Sequence, residues 1–179
     1  VARDISDRLQ NSSSSEYRVQ HDPVTGLMNR KAFLGRLQRT LEQKPRRESN
    51  DSLLYLDLDG FDHFNDIAGS GTCDRYLREL AGNLGVKIRQ RDALARLAGD
   101  TFALLIENCP EARARKIADS ILELIGGFVF HWQDKQLQTT ASGGLLFLDD
   151  DAPTDSEQLL TQAADLCHTA KTSGRNRIH

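Results

Sequence analysis

Apolar positions along this chain alternate between two spacings, and each switch marks the edge of an element. Phe33, Leu34, Leu37 and Leu41 recur at helical spacing after Asn29, whose side chain suits a helix N-cap. Leu53 to Asp59 is a nearly continuous apolar run ending in two carboxylates, the pattern of a strand buried on both faces. Leu77, Leu80, Ala81, Leu84 and Ile88 return to helical spacing and predict a helix over 74–90. Two apolar runs, 93–97 and 102–107, flank the small turn Ala98-Gly99-Asp100-Thr101 and predict a β-hairpin. A further helix is expected over 110–125, with Pro110 in its first turn and Ile117, Ile121, Leu124 and Ile125 facing inward. Residues 128–132 and 136–148 read as a second hairpin and 149–155 as an acidic loop. The last helix, 156–171, is stopped by Ser173-Gly174. His21 to Gly26 is dense in turn formers, and the charged, Pro-interrupted stretch 44–52 is expected to be an exposed loop. Residues 1–20 carry Val1, Ile5, Leu9 and Val19 at roughly helical spacing but are broken by the polar run Asn11 to Ser15. They are expected to form a helical or partly disordered linker outside the core. Strands interleaved with helices predict an α/β layer fold around a central sheet, and no internal repeat is visible.

Composition narrows this picture without redirecting it. At 179 residues the chain holds one domain with room for an extra element, enough to bury a core without disulfides or a structural metal. A net charge of −3 lacks the basic excess of a nucleic-acid binder, so no nucleic-acid partner is expected. Cys73, Cys109 and Cys167 are odd in number and show no CxxC spacing, which argues against zinc and disulfides and for a reduced, cytoplasmic setting. There is neither an apolar run near ~18 residues nor a secretory signal. Beginning at Val1 and not Met, the chain reads as part of something longer, and that protein could be anchored in a membrane through other parts.

Three groups of residues carry candidate chemistry. Asp57 and Asp59 fall on one face at the end of a buried strand, where carboxylates suit a hard divalent cation such as magnesium or simply cap the strand toward solvent. Asp100, in the hairpin turn, either shares that cation and a nucleotide phosphate or serves as ordinary turn chemistry. Lys171, Arg175 and Arg177 surround a helix C-terminus, where cations either hold a triphosphate or answer the helix dipole.

Four segments, in order over most of the chain, resemble the GGDEF family of diguanylate cyclases, which condense two GTP into cyclic di-GMP. Asp22-Pro-Val-Thr-Gly-Leu-Met-Asn-Arg30 is similar to the family's D-x-L-T-G-L-x-N-R, and Leu56 to Asp66 to its I-D-L-D-x-F-K-x-I-N-D. Ala95 to Phe102 stands where the family has A-R-x-G-G-D-E-F, and Ala164 to Arg177 resembles A-D-x-A-L-Y-x-A-K-x-x-G-R-N-R. The resemblance implies a palm-like α+β domain over 21–179, with a mixed, mainly antiparallel sheet flanked by helices as in nucleotidyl cyclases. It implies Asp57 and Asp100 as catalytic carboxylates and magnesium ligands, with help from the Leu58 carbonyl. Asn65 and Asp74 fall on the guanine readers, and Lys171 and Arg175 on the cations that grip the terminal phosphates. Arg89 and Asp92 fall on the RxxD site that binds cyclic di-GMP in product inhibition, chemistry suited to an arginine fork. Ala2-Arg-Asp-Ile-Ser-Asp-Arg8 is similar to the end of a PAS sensor domain, which makes 1–20 a signalling helix.

Departures from the pattern weigh against turnover. Thr101 stands in place of the signature Glu and removes a carboxylate from the metal site. Ala98 replaces the first Gly, Asp62 replaces a phosphate-facing Lys, and Ser70 and Cys73 replace a His and a Gly. The leading expectation is a degenerate domain that binds GTP or cyclic di-GMP, with Mg2+ when nucleotide is bound, and regulates a neighbour such as a PAS or EAL domain. The alternatives are a weakly active diguanylate cyclase, working as a homodimer, and a dimerisation domain that binds no ligand.

Overall fold

The computed structural model describes residues 17, 19–43, 50–149 and 152–179. Its elements are α1 (Arg30–Gln43), β1 (Ser52–Leu58), α2 (Phe61–Ala68), α3 (Ser70–Lys87), β2 (Ala93–Ala98), β3 (Thr101–Ile106), α4 (Glu111–Gly127), β4 (Phe130–Trp132), β5 (Lys135–Leu137), β6 (Ala141–Phe147) and α5 (Ser156–Thr172). Four strands form an antiparallel sheet in the order β2-β3-β1-β6, and β4 pairs only with β5 in a separate ribbon.

Strand alternation divides the core into two layers. Leu54, Leu56, Leu58, Phe102 and Leu104 face one side, where they meet Tyr76, Leu77 and Leu80 of α3 and Ala118, Ile121 and Ile125 of α4. Leu53, Ala103 and Leu105 face the other side, against Phe33 and Leu37 of α1 and Leu159, Leu160 and Ala163 of α5. Helices therefore cover both faces, the expected α/β arrangement of mainly antiparallel strands.

Asn29 caps α1 as predicted, its Oδ1 accepting the Ala32 N–H at 2.9 Å. Three expectations need correction. The helix expected over 74–90 begins earlier, at Ser70, and a short helix, α2, precedes it. Phe61 and Phe64 hold α2 down by packing on Tyr76, with ring centroids 5.7 and 6.0 Å apart. The run 136–148 is two strands in different sheets, since β5 turns back on β4 while β6 joins β1. Ser52, placed in a loop by the sequence, opens β1 and is buried. The expectations for residues 1–16 and 44–49 lie outside the described residues.

Extra pairing closes both sides of the sheet. Met28 bridges to Ala95 outside β2, and Ile178 bridges to Gly143 outside β6. Along β6, Gly143 donates to the Arg177 carbonyl and Leu145 to that of His179, each at 2.9 Å.

Candidate functional site

Asp57 lies opposite Thr101 in the β1–β3 register, and alternation along β1 turns it toward α5. Lys171, in the last turn of α5, meets it there with Nζ 3.1 Å from Asp57 Oδ2. Among the described residues, Asp57 Oδ1 is shielded and accepts no hydrogen bond. Asp100 follows Gly99 in the two-residue turn between β2 and β3, where Gly99 takes φ +42°. The Leu58 N–H donates to the Asp100 carbonyl at 3.1 Å and fixes this turn against the end of β1. Burial first, and the negative Asp57 second, push the Asp100 carboxyl up to about 6. Asp62, on α2, pushes the same way, so its charge is felt at Asp100.

These neighbours have the chemistry of a divalent-cation site, since oxygen ligands and a compensating double charge would relieve both carboxylates. Among the described residues, Asp57 and Asp100 are the two carboxylates brought together at this turn. No group of three or more His, Cys, Asp or Glu among the described residues is placed to hold a metal ion. Thr101, opposite Asp57 in the strand register, brings a hydroxyl and no carboxylate.

Lys171 depends on how closely α5 approaches the sheet. A Cβ added to Gly144 would sit 2.3 Å from the Ala163 carbonyl oxygen and 2.6 Å from the Cys167 nitrogen. Only glycine lets the helix backbone come so near, and this brings the end of α5 over Asp57. Beyond the helix the chain turns sharply, with φ +126° at Gly174, +64° at Arg175 and +48° at Asn176. The Arg175 N–H returns to the Ala170 carbonyl at 3.0 Å, while the Arg175 side chain remains exposed.

Asp59 departs from the reading as a solvent-facing cap. It is only 8% exposed, so it does not cap a strand toward solvent. Both its oxygens are also engaged: Ser142 Oγ donates to Oδ1 at 2.8 Å, and Thr140 Oγ1 donates to Oδ2 at 2.6 Å. The Asn176 N–H also donates to Oδ2, at 3.2 Å, and Lys171 Nζ stands 3.8 Å from Oδ1.

The remaining candidates fall into separate places. Asn65 is exposed on α2 and Asp74 is half-buried on α3, the two helices being separated by Gly69 at φ +84°. Arg89 and Asp92 form a two-pronged pair at 2.9 Å on each prong, and Arg89 Nη2 also donates to the Glu107 carbonyl at 2.7 Å. Asp92 is buried in that pair, whereas Arg89 keeps one edge toward solvent. Asp22 and Arg96, from two different motif segments, meet each other. Asp22 accepts from Thr25 at 2.8 and 2.9 Å and pairs with Arg96 at 3.1 Å, and Arg96 Nε donates to the Gly99 carbonyl at 2.8 Å. Cys73, Cys109 and Cys167 are buried free thiols, and no described helix is long and apolar enough to cross a membrane.

Comparison with known proteins places this geometry. The family described as "Diguanylate cyclase, GGDEF domain" matches residues 19–177. The chain is 33% identical over 178 residues to the "Probable diguanylate cyclase DgcE" of Escherichia coli K12, covering 99% of this chain but 16% of that protein. Among solved structures it resembles the GGDEF domain of FimX from Pseudomonas aeruginosa, with TM-score 0.80, 26% identity, and coverage of 89% of this chain and 98% of that one. It also resembles the diguanylate cyclase SiaD from the same organism, solved with its activator SiaC, with TM-score 0.83, 27% identity, and coverage of 99% and 70%.

Proposed function

This chain belongs to the GGDEF family of diguanylate cyclase domains, and we propose that within it the domain is a nucleotide-binding regulator that has lost efficient turnover. One observation carries the reading: Asp57, Asp100 and Lys171 converge at the end of β1, while Thr101, opposite Asp57, adds no carboxylate. In this reading Asp57 and Asp100 hold Mg2+, which supplies charge neutralisation on the nucleotide phosphates. Asn65 and Asp74 read the guanine edge, and Lys171 and Arg175 meet the terminal phosphates. Lys171 now neutralises Asp57, so a cation arriving on Asp57 would free its ammonium for phosphate. Without a carboxylate at 101, and with Asp62 adding negative charge, the site favours holding nucleotide over stabilising the charge that builds during transfer.

Arg89 and Asp92 are the proposed second site, for cyclic di-GMP. Arg89 would meet a phosphate with its solvent-facing edge, since its other donors are held by Asp92 and Glu107. The chain spans about a sixth, 16%, of the relative DgcE, so partners such as PAS or EAL domains, the role of 1–20 as a signalling helix, and homodimerisation belong to this proposal.

Calorimetry with GTP and with cyclic di-GMP, each with and without Mg2+, tests the reading. Heat with either ligand is expected, and no heat with both would sink it. The second reading, a weak cyclase, is favoured by the persistence of Asp57, Asp100, Lys171 and Arg175. It requires cyclic di-GMP to form from GTP and Mg2+ and to vanish in Asp100→Ala.

A further inference from the structure

We propose that Asp59 is a positioning residue for the phosphate end of the site, setting Arg175 and Lys171 in place without touching ligand itself. The proposal rests on the nucleotide-binding reading above and names the residue on which its phosphate contacts depend.

Saturation of the carboxylate is the first argument. Thr140 Oγ1, Ser142 Oγ and the Asn176 N–H occupy its two oxygens, so Asp59 has little left to offer a metal ion, unlike Asp57 with its unpartnered Oδ1. A buried carboxylate this well satisfied fixes the groups around it, because losing any donor leaves charge uncompensated.

The second argument is what those groups are. Thr140 and Ser142 belong to the stretch leading into and along β6, and they anchor Asp59 to the sheet. The Asp59 backbone adds to this anchor, its N–H donating to the Thr140 carbonyl at 2.8 Å and its carbonyl accepting from Thr139 Oγ1 at 2.6 Å. Asn176 lies in the turn after α5, at φ +48° and next to Arg175 at +64°. Two consecutive non-glycine residues in the left-handed region are unfavourable and persist only where surrounding structure holds them. The Asn176 N–H to Asp59 bond is a charge-assisted restraint of that kind. Asp59 thus ties the sheet edge to the one turn whose conformation decides where the Arg175 guanidinium points. Its Oδ1 also attracts Lys171 from 3.8 Å, beside the closer Asp57 Oδ2 at 3.1 Å.

Asp59→Asn keeps the shape and one acceptor oxygen but loses the charge and adds a donor facing donors. Amide hydrogen exchange is expected to speed up at least about tenfold within 173–177 while β1 and α3 keep their protection. With Mg2+ present, GTP affinity is expected to fall about tenfold while GMP, which lacks the terminal phosphates, binds as before. Thr140→Val, which removes the shortest hydrogen bond to the carboxylate, should shift both readouts in the same direction and serves if Asp59→Asn does not fold. Unchanged exchange within 173–177, or equal loss of GTP and GMP affinity, would overturn the assignment. If the unsubstituted chain binds neither nucleotide, the nucleotide reading fails, and the exchange measurement alone decides whether Asp59 holds the turn.

Discussion

Replacing Asp100 with Asn should stabilise the domain at neutral pH when no divalent cation is present. The Asp100 carboxyl is pushed up from 3.8 to about 6 by burial and by Asp57, so the folded state resists its ionisation. A displacement of about two units at about 1.36 kcal/mol each sets a ceiling near ~3 kcal/mol. Asp100 is only half-buried, and solvent screening brings the expected gain down to about 1 kcal/mol. The sign follows from proton linkage. A carboxyl whose folded pKa exceeds its unfolded one carries no penalty below about pH 4, loses stability as pH rises through about 6, and carries the full penalty above that. Asn has nothing to ionise. Thermal melts of both proteins in chelator, from pH 4 to 8, should therefore coincide at the acid end and separate by about 2–4 °C above pH 7, with the variant higher. A variant that melts lower at pH 7.5, or a gap that does not close toward pH 4, would refute the reasoning.

Four further predictions rest on other contacts. Thr101→Glu adds a third carboxylate opposite Asp57 and should lower Tm in chelator while enlarging the rise in Tm on adding Mg2+. Gly144→Ala forces a methyl group against the α5 backbone and should cost about 2 kcal/mol or more by urea denaturation. Burial alone would raise the Asp22 carboxyl, but hydrogen bonds from Thr25 and Arg96 hold it below its ordinary value. Asp22→Ala should cost about 1–2 kcal/mol at pH 7, and the gap should shrink as pH falls below about 4, where the unsubstituted protein also loses this contribution. Arg89→Ala leaves Asp92 charged and buried with the Glu107 N–H but no cation to answer it, and should destabilise by about 2 kcal/mol, whether or not cyclic di-GMP binds there.

The sequence was most legible where a residue's role is set by its neighbours along the chain. Asn29 as a cap, the Gly99-Asp100 turn and the helical stripes of α1 and α3 are local features, and the structure has them near the expected positions. Features made by distant segments could not be read. Asp59 looks like any acid at a strand end until Ser142 and Asn176, 83 and 117 residues later, are folded onto it. The same holds for the 74-residue span between Asp22 and Arg96, although both residues stood inside recognised motifs. Splitting of the run 136–148 was hidden because alternation looks the same in two short strands as in one long strand. The helix α2 is hard to read because its stripe, Phe61, Phe64 and Ala68, is only eight residues long and interleaved with acidic and polar positions.

The covering of the sheet's two outer strands limits how this domain can speak to others. With Met28 bonded beside β2 and residues 177–179 bonded along β6, part of each flank is already taken, and a strand added there would have to displace it. Contacts with a second copy or a tethered domain made by side chains on helices and loops avoid that displacement. Such contacts can form, rotate and separate without unravelling a hydrogen-bonded sheet. Residues 28 and 178 thus guard the flanks of the sheet from within the same chain, leaving its helices and loops free for contacts of that reversible kind.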